Sequence, residues 1–366
     1  SLHDALPIFD ATTSWNAYLT DELRVLSGKY SRALSGTPQA MDKKKAAFYL
    51  AQGPYNQALG LWYAGEKFSP EAKADVEAKV ATMIDVYKSR LQTADWLAPE
   101  TREKAITKLN VITPHIGYPE KLPETYDKKI IDENLSLVEN AQKLVEISIA
   151  HSWSKWNKPV DRSEWHMPAH MVNAYYDPQQ NQIVFPAAIL QAPFYDIAQS
   201  SSANYGGIGA VIAHEISHAF DTNGASFDEN GSLKNWWTED DYAAFKERTD
   251  KIVDQFEGLD SYGAKVNGKL TVSENVADLG GVACALEAAK RDEDFSVREF
   301  FVNFATIWRT KAREEYMQML ASVDVHAPAK WRTNVIVTNF DEFHKEFDVK
   351  EGDGMWRAPE DRVIIW

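Results

Sequence analysis

Residues 204–221 read NYGGIGAVIAHEISHAFD, and apolar residues fill most positions around two histidines and one glutamate. At helical spacing the apolar side chains leave little room for a polar face, since they include Ile208, Val211, Ile212, Ile216 and Ala219. A helix that is apolar nearly all round is a buried helix. The stretch therefore predicts a buried helix that residues 221–224 end, with Gly224 as a left-handed cap.

The two histidines of this helix, His214 and His218, are four residues apart and so share one face, with Glu215 beside them. Two neutral imidazoles at that spacing can bind one metal ion, and nitrogen ligands favour zinc. A glutamate next to a zinc-bound water can act as a general base. The alternative is a pair of core histidines and a buried glutamate held by an arginine, and an unpaired buried glutamate would cost several kcal/mol.

A catalytic zinc usually has three protein ligands and leaves a fourth position for water. The longer motif H-E-x-x-H-x-x-G-x-x-H is absent, because position 221 is Asp. In residues 271–281, TVSENVADLGG, Glu274 and Asp278 lie four apart on a predicted helix, and two buried carboxylates need a cation or donors. We predict that Glu274 binds the zinc and that Asp278 accepts the other N–H of a ligand histidine. The alternative for Glu274 is a capping box with Thr271.

Residues 323–332, VDVHAPAKWR, form a predicted loop that can bring His326 and Arg332 together. Acyl transfer at zinc needs a donor for the developing oxyanion and a group that holds the substrate backbone. These two residues are candidates for both tasks, although each by itself is typical of a surface or of the rim of a core.

The whole chain has 366 residues, a formal net charge of −15 and a single cysteine, Cys284. This length permits a large core and two domains. The acidity argues against a nucleic-acid partner, because phosphate binding needs a basic face. One cysteine permits neither an internal disulfide nor a cysteine-based metal site. The sequence contains no run of eighteen apolar residues, so it predicts no membrane span.

The first part of the chain is predicted to be helical. Residues 1–9 do not continue naturally into the residues after them, and we interpret them as a non-native leader. We assign residues 10–155 to a helical region and residues 156–366 to a catalytic domain. Ser69 and Pro70 begin one helix, a second runs from Pro99 to Val111 before Pro114 stops it, and a third has an apolar face formed by Leu137, Ala141, Leu144 and Val145. Residues 171–176 and 182–185 predict a hairpin or two strand edges around the turn-forming DPQQN.

Together these pieces resemble the neprilysin-like zinc metalloendopeptidases, and their bacterial endopeptidase O branch in particular. The shared motifs are VNAYYDP (172–178), NQIVFPAAILQAPF (181–194), residues 204–221, SENVADLGG (273–281), NFATIW (303–308), DVHAPAKWR (324–332) and the terminal Trp366. The resemblance implies an α+β, mostly α-helical fold: a thermolysin-like, gluzincin catalytic lobe with a small β-sheet beside a remnant of a helical domain. Family members are much longer, and only the later part of their N-terminal domain is expected here, before about residue 120.

The resemblance also implies roles for individual residues. The zinc ligands would be His214, His218 and Glu274, with Glu215 as the catalytic base. Asp278 would orient His214, and Asp221 would be a further carboxylate behind the ligands. His326 would stabilise the oxyanion, Arg332 would bind a substrate carbonyl, and Asn173 and Ala174 would hold the substrate backbone from a strand edge. A hydrophobic pocket for the residue after the scissile bond would use Ile189, Phe194, Val211, Ile307 and Trp308.

The expected activity is zinc-dependent hydrolysis of internal peptide bonds in oligopeptides, with hydrophobic residues preferred after the scissile bond and one Zn²⁺ per chain. The chain is expected to be a monomer, in the periplasm or outside the cell rather than in the cytoplasm. Two alternatives remain: an inactive pseudo-peptidase that binds peptides or zinc, and a helical interaction protein whose histidines belong to the core.

Overall fold

The computed structural model describes residues 15–366, so the predicted leader over residues 1–9 lies outside the described residues. The helices within this range are α1 (Asp21–Ser27), α2 (Lys29–Leu34), α3 (Lys43–Gln52), α4 (Asn56–Lys67), α5 (Pro70–Thr93), α6 (Pro99–Asn110), α7 (Leu137–Ser154), α8 (Ser201–Asn204), α9 (Ala210–Ser217), α10 (Glu239–Phe256), α11 (Val272–Ala289), α12 (Val297–Ile307), α13 (Glu314–Val323), α14 (Ala329–Asn334) and α15 (Asp341–Glu346). The strands are β1 (Thr113–Gly117), β2 (Tyr175–Asp177), β3 (Gln182–Pro186), β4 (Asp260–Ser261) and β5 (Ala264–Lys265).

The long helix α5 begins where the sequence predicts. The Ser69 hydroxyl accepts a hydrogen bond from the Ala72 amide, and Pro70 occupies the first turn, where its missing N–H costs nothing. The face predicted to be apolar is buried in the main core, with Val76, Met83 and Tyr87 among its members. This helix packs against α9 and α11, and it therefore supports the predicted site from behind.

The second predicted helix forms as α6, one residue shorter than predicted, since it ends at Asn110 instead of Val111. Pro114 follows it inside strand β1, which the sequence analysis did not predict. β1 pairs in parallel with β3, and β3 pairs antiparallel with β2, so the sheet order is β1-β3-β2. A proline is tolerated in β1 because this strand is at an edge of the sheet, where a missing N–H breaks no ladder on the open side.

The predicted hairpin is confirmed as β2 and β3, with Tyr176 opposite Ile183. Asp177 begins the turn by accepting a hydrogen bond from the Gln179 amide, and Asn181 closes it in the left-handed region at φ 47°. The first strand is shorter than predicted: it begins at Tyr175, and residues 171–174 lie before it. β2 is the other edge of the sheet, and β3 between the two edges is fully buried.

The third predicted helix forms as α7, which begins with a capping box between Ser136 and Glu139. Its apolar face, however, is mostly open to solvent in the described chain: Ala141 is buried, whereas Leu137 is 53% and Val145 is 47% exposed. A helical apolar period thus predicted the helix correctly but did not predict burial of that face.

Residues 204–217 are helical and buried, as the sequence predicts. α8 continues through a π-helical segment, Tyr205–Gly209, into α9, where every residue is buried. α9 packs on α11 at close range, because a Cβ built on Gly281 would lie only 2.7 Å from the backbone nitrogen of His214. Within residues 15–366 we find no helix whose length and apolar character would let it cross a membrane.

Candidate active site

Two imidazoles from α9 face each other at the centre of the site. His214 lies within the helix and His218 caps its C-terminal end, and their Nε2 atoms are 3.0 Å apart. The rings meet edge to face, with centroids 4.6 Å apart. The four-residue spacing therefore brings the two nitrogens together as the helical period predicts.

Each histidine is oriented through its other ring nitrogen. His214 Nδ1 lies 2.8 Å from Asp278 Oδ1, and His218 Nδ1 lies 2.6 Å from Asp221 Oδ2. Because a carboxylate only accepts, both Nδ1 atoms carry the proton, and in the neutral rings both Nε2 lone pairs point toward the same small volume.

Glu274 reaches this volume from α11. Its Oε2 atom lies 3.3 Å from His214 Nε2 and 3.6 Å from His218 Nε2. The oxygen is buried and has no hydrogen-bond partner of acceptable geometry among residues 15–366. The alternative of a capping box is wrong: the Thr271 hydroxyl donates to the Asn267 carbonyl and accepts from the side-chain NH₂ of Asn275, so it accepts from no backbone N–H of the first turn of α11.

These three atoms fit a zinc ion. Tetrahedral zinc with bonds of about 2.0–2.1 Å needs ligand atoms that are about 3.3–3.4 Å apart. The observed separations of 3.0, 3.3 and 3.6 Å bracket that value. Two converging imidazole lone pairs and a buried, unpartnered carboxylate oxygen repel one another unless a cation or proton lies between them. The donor set of two nitrogens and one oxygen matches that of catalytic zinc sites.

The buried charges shift the pKa values of the site. Burial alone would raise the pKa of Glu274, but the three neighbouring histidines lower it well below its usual range. Burial would also raise the pKa of Asp278, and Arg332 and His214 reverse this and lower it to about 2. Burial opposes protonation of His218, yet Asp221 and Glu274 raise its pKa well above the usual value. The carboxylates are therefore ionised, and protons compete with a metal for the imidazoles.

Glu215 is placed differently from Glu274. One of its oxygens lies within 4.8 Å of ring nitrogens of both His214 and His218, and its side chain lines the open cleft. Burial raises the pKa of this carboxyl, partly offset by the two histidines. A carboxylate beside the ligands, facing the cleft and with a raised pKa, is suited to exchange protons with a water molecule.

Residues 323–332 supply the two further predicted residues: His326 lies in the loop before α14, and Arg332 lies in α14 itself instead of in the predicted loop. His326 Nε2 lies 3.1 Å from Glu274 Oε2, and its Nδ1 lies 2.8 Å from Asp324. Arg332 is buried and binds Asp278 through two N–H groups, each at 2.7 Å, while its guanidinium stacks 3.9 Å from the Trp308 ring centroid. Sequence reasoning placed both residues here but missed Asp324 and the Arg332–Asp278 pair.

A cleft of about 660 Å³ opens over the three converging atoms. All five predicted pocket residues line it, as do Asn173 and Ala174. These last two precede β2 instead of lying on it, as the prediction had them, because the Asn173 side chain accepts a hydrogen bond from the Ala174 amide and such local bonds compete with strand pairing. The cleft also includes Tyr316, Met317 and Leu320 of α13, whose apolar spacing was the only signal for them.

The segment after α9 corrects one prediction. Gly224 does not cap the helix in the left-handed region; it begins a short 3₁₀ turn, Gly224–Ser226. Glycine is required there for space, since a Cβ would lie 1.7 Å from the His218 carbonyl oxygen. Asp221 uses this tight turn, because its Oδ1 accepts from the amides of Asn223 and Gly224. Ser273, which sequence reasoning missed, donates to Asp221 Oδ2 at 2.5 Å.

Two family models described as Peptidase family M13 match the chain, over residues 173–363 and 6–119. The chain is 77% identical over 296 residues to a Streptococcus gordonii protein provisionally named as a zinc metalloproteinase, covering 81% of this chain and 52% of the relative. It is 52% identical over 350 residues to a neutral endopeptidase of Lactococcus lactis, covering 96% of this chain and 56% of the relative.

Solved structures give the same result. The crystal structure of PepO from Lactobacillus rhamnosis matches with a TM-score of 0.92 and 42% identity, over 97% of this chain and 56% of that one. The inhibitor complex of the Mycobacterium tuberculosis zinc metalloprotease Zmp1 matches with a TM-score of 0.90 and 37% identity, over 97% and 56% of the two chains. The chain thus spans about half the length of the curated relatives it matches.

Proposed function

The chain belongs to peptidase family M13, and from this premise we propose that it carries the catalytic site of a zinc-dependent endopeptidase acting on oligopeptides. The neprilysin-like resemblance and the mostly helical α+β fold predicted from the sequence are confirmed by the same comparisons. The observation that carries the proposal is the convergence of His214, His218 and Glu274 on one volume, with the Glu215 carboxylate beside it.

The residues that would hold one zinc ion are His214, His218 and Glu274. Bound zinc supplies a Lewis acid that polarises the scissile carbonyl and lowers the pKa of a water molecule toward about 7. Asp278 and Asp221 hold the two imidazoles in the tautomer that presents Nε2 to the ion.

Glu215 is the proposed general base. It takes a proton from the attacking water and returns it to the amine that leaves, and burial raises its pKa, which makes the carboxylate a stronger base. His326 is the proposed oxyanion donor. Burial lowers the pKa of its ring, but Glu274 raises it above the usual value with help from Asp324, so the ring can hold protons on both nitrogens. Nε2 then donates while Asp324 holds Nδ1.

The substrate is proposed to be an extended peptide. The cleft runs past the segment with Asn173 and Ala174 beside the edge strand β2, where unpaired backbone groups can bind a peptide backbone. Arg332 would donate to a substrate carbonyl with the N–H groups that Asp278 leaves free. The apolar lining from Ile189, Phe194, Val211, Ile307 and Trp308 favours a hydrophobic residue after the scissile bond.

Cleavage of a quenched hydrophobic peptide, with and without a zinc chelator, tests the proposal. We expect one zinc per chain, chelator-sensitive cleavage, and a Glu215→Gln variant that keeps the metal and loses about 10²–10⁴-fold in turnover. Zinc at one per chain without cleavage would favour the pseudo-peptidase. No zinc in either the wild type or His214→Ala would favour the interaction protein with core histidines.

The monomeric state and a location in the periplasm or outside the cell are further parts of the proposal. They rest on the resemblance to the family, and sedimentation and cell fractionation of the whole protein would test them.

A further inference from the structure

One lysine is buried behind the site. Lys108 of α6 is 1% exposed, and its ammonium group donates to the backbone carbonyls of Ala219, Gly224 and Phe227 at 2.8, 2.8 and 2.7 Å. All three acceptors belong to residues 219–227, the segment that directly follows the helix bearing His214 and His218. An ammonium group has three N–H donors, so this arrangement uses every one of them.

Burial disfavours the charged form of the Lys108 ammonium group. Burial lowers the pKa of Lys108 to about 7, while the carboxylates of Asp221, Asp228 and Glu229 counteract that shift. The rings of Tyr176, Phe220 and Trp236 surround the ammonium with centroids at 5.8–5.9 Å. A buried charge persists only where hydrogen bonds replace its lost water, and here the carbonyls of one tight turn do so.

The same turn holds a carboxylate of the site. The Gly224 carbonyl accepts from Lys108, while the Gly224 and Asn223 amides donate to Asp221 Oδ1 at 2.7 and 2.8 Å. The other oxygen of Asp221 accepts from His218 Nδ1 at 2.6 Å. Lys108 is thus connected to His218 through one turn and one carboxylate.

We propose that Lys108 is a positioning residue of the metal site: it fixes residues 219–227 so that Asp221 holds His218 in the orientation that binds the ion. The inference rests on the proposed function only in taking His218 as a metal ligand. It also makes the site depend on a side chain from the predicted helical region over 10–155, because the predicted catalytic domain over 156–366 does not contain Lys108.

The test measures zinc affinity of the full chain by competition with a chromophoric chelator, together with thermal unfolding of the zinc-free protein. Lys108→Met keeps the length of the side chain and removes the three donors. We expect its zinc affinity to fall about 10–100-fold, as for loss of groups that orient ligands.

A matched control is available on the same helix. Thr101 lies two turns earlier, is fully buried, and donates to Asp241 Oδ2 at 2.5 Å, so Thr101→Val removes a buried hydrogen bond that leads to α10 instead of the site. We expect Thr101→Val to lower the unfolding temperature and leave zinc affinity within about two-fold of the wild type. Equal zinc affinities for the wild type and Lys108→Met would overturn the inference.

A double variant tests the route through Asp221. In an Asp221→Asn background, Lys108→Met should change zinc affinity by less than about two-fold, whereas fully additive losses would show that Lys108 does not act through Asp221. If Lys108→Met does not unfold cooperatively, Lys108→Gln, which keeps two N–H donors, is measured in its place. Its zinc affinity is expected to fall in the same way but by a smaller factor. A wild type that binds no zinc refutes the proposed function itself, whereas equal zinc binding by the wild type and Lys108→Met refutes only the role of Lys108.

Discussion

Replacing Asp278 by asparagine separates two tasks that this one carboxylate performs. Asp278 is 4% exposed; one oxygen accepts from His214 Nδ1 at 2.8 Å, and both accept from Arg332, whose guanidinium is also buried. Asparagine keeps the shape but removes the charge. It also turns an NH₂ group toward donors, so at least one of these three hydrogen bonds is lost.

The size of the effect is set by these contacts. Breaking a buried ion pair while leaving the other charge in place costs about 3–5 kcal/mol, so the zinc-free chain should lose that much of its free energy of unfolding. Loss of the group that orients a ligand histidine costs about 10–100-fold in zinc affinity, which is about 1.4–2.7 kcal/mol. Unfolding by guanidinium chloride in the presence of a chelator measures the loss of stability. Competition with a chromophoric chelator measures the loss of zinc affinity.

Asp221→Asn is the matched comparison. Asp221 orients His218 in the same way, but its other partners are two backbone amides and the Ser273 hydroxyl instead of a buried guanidinium. We expect a similar loss of zinc affinity and a smaller loss of stability, since the buried cations near Asp221 keep other partners: Lys108 keeps its three carbonyl acceptors, and His218 still faces Glu274. The reasoning is refuted if Asp278→Asn binds zinc as tightly as the wild type, or if the two variants lose equal stability.

Three further outcomes are expected. Gly281→Ala should separate α9 from α11, because the new Cβ would lie 2.7 Å from the His214 nitrogen, and should weaken zinc binding in the same competition assay; Gly65→Ala, where the Cβ meets nothing within 4 Å, should leave zinc binding unchanged. The pKa of Asp278 is lowered in the folded state from 3.8 to about 2, so its stabilisation is present above about pH 4 and is lost as the pH falls toward 2; urea titrations of the zinc-free chain should show this loss, and Asp278→Asn should lack it. Ile307→Phe should fill the apolar pocket and reduce kcat/KM roughly 10-fold or more for peptides with Phe after the scissile bond, with little change for Ala at that position; equal changes for both peptides would contradict the assigned pocket.

Local rules succeeded where neighbours in sequence decide the outcome. The start of α5 at Ser69 and Pro70, the shared face of His214 and His218, and the hairpin around residues 177–181 all result from contacts within a few positions. The paired carboxylates of residues 271–281 predicted Glu274 as a third ligand, the family resemblance implied the same residue, and the structure brings it within 3.6 Å of both imidazoles.

Predictions from local sequence patterns failed where steric space or residues distant in the sequence determine the structure. Gly224 was assigned to a left-handed cap, yet the approach of the His218 carbonyl oxygen is what requires a glycine. The apolar period of α7 predicted its helical form, but periodicity carries no information on whether another element covers that face.

The sequence by itself determined which residue types could hold a metal and where helices would present them, because side-chain chemistry and the helical period are local properties. Only the tertiary structure decided that Asp278 binds Arg332 in addition to the ligand histidine, and that Lys108 binds the carbonyls of residues 219–227. The physical reason is that such partners lie tens to more than a hundred positions away along the chain. Many of them are backbone carbonyls, which every residue carries and no sequence pattern can mark.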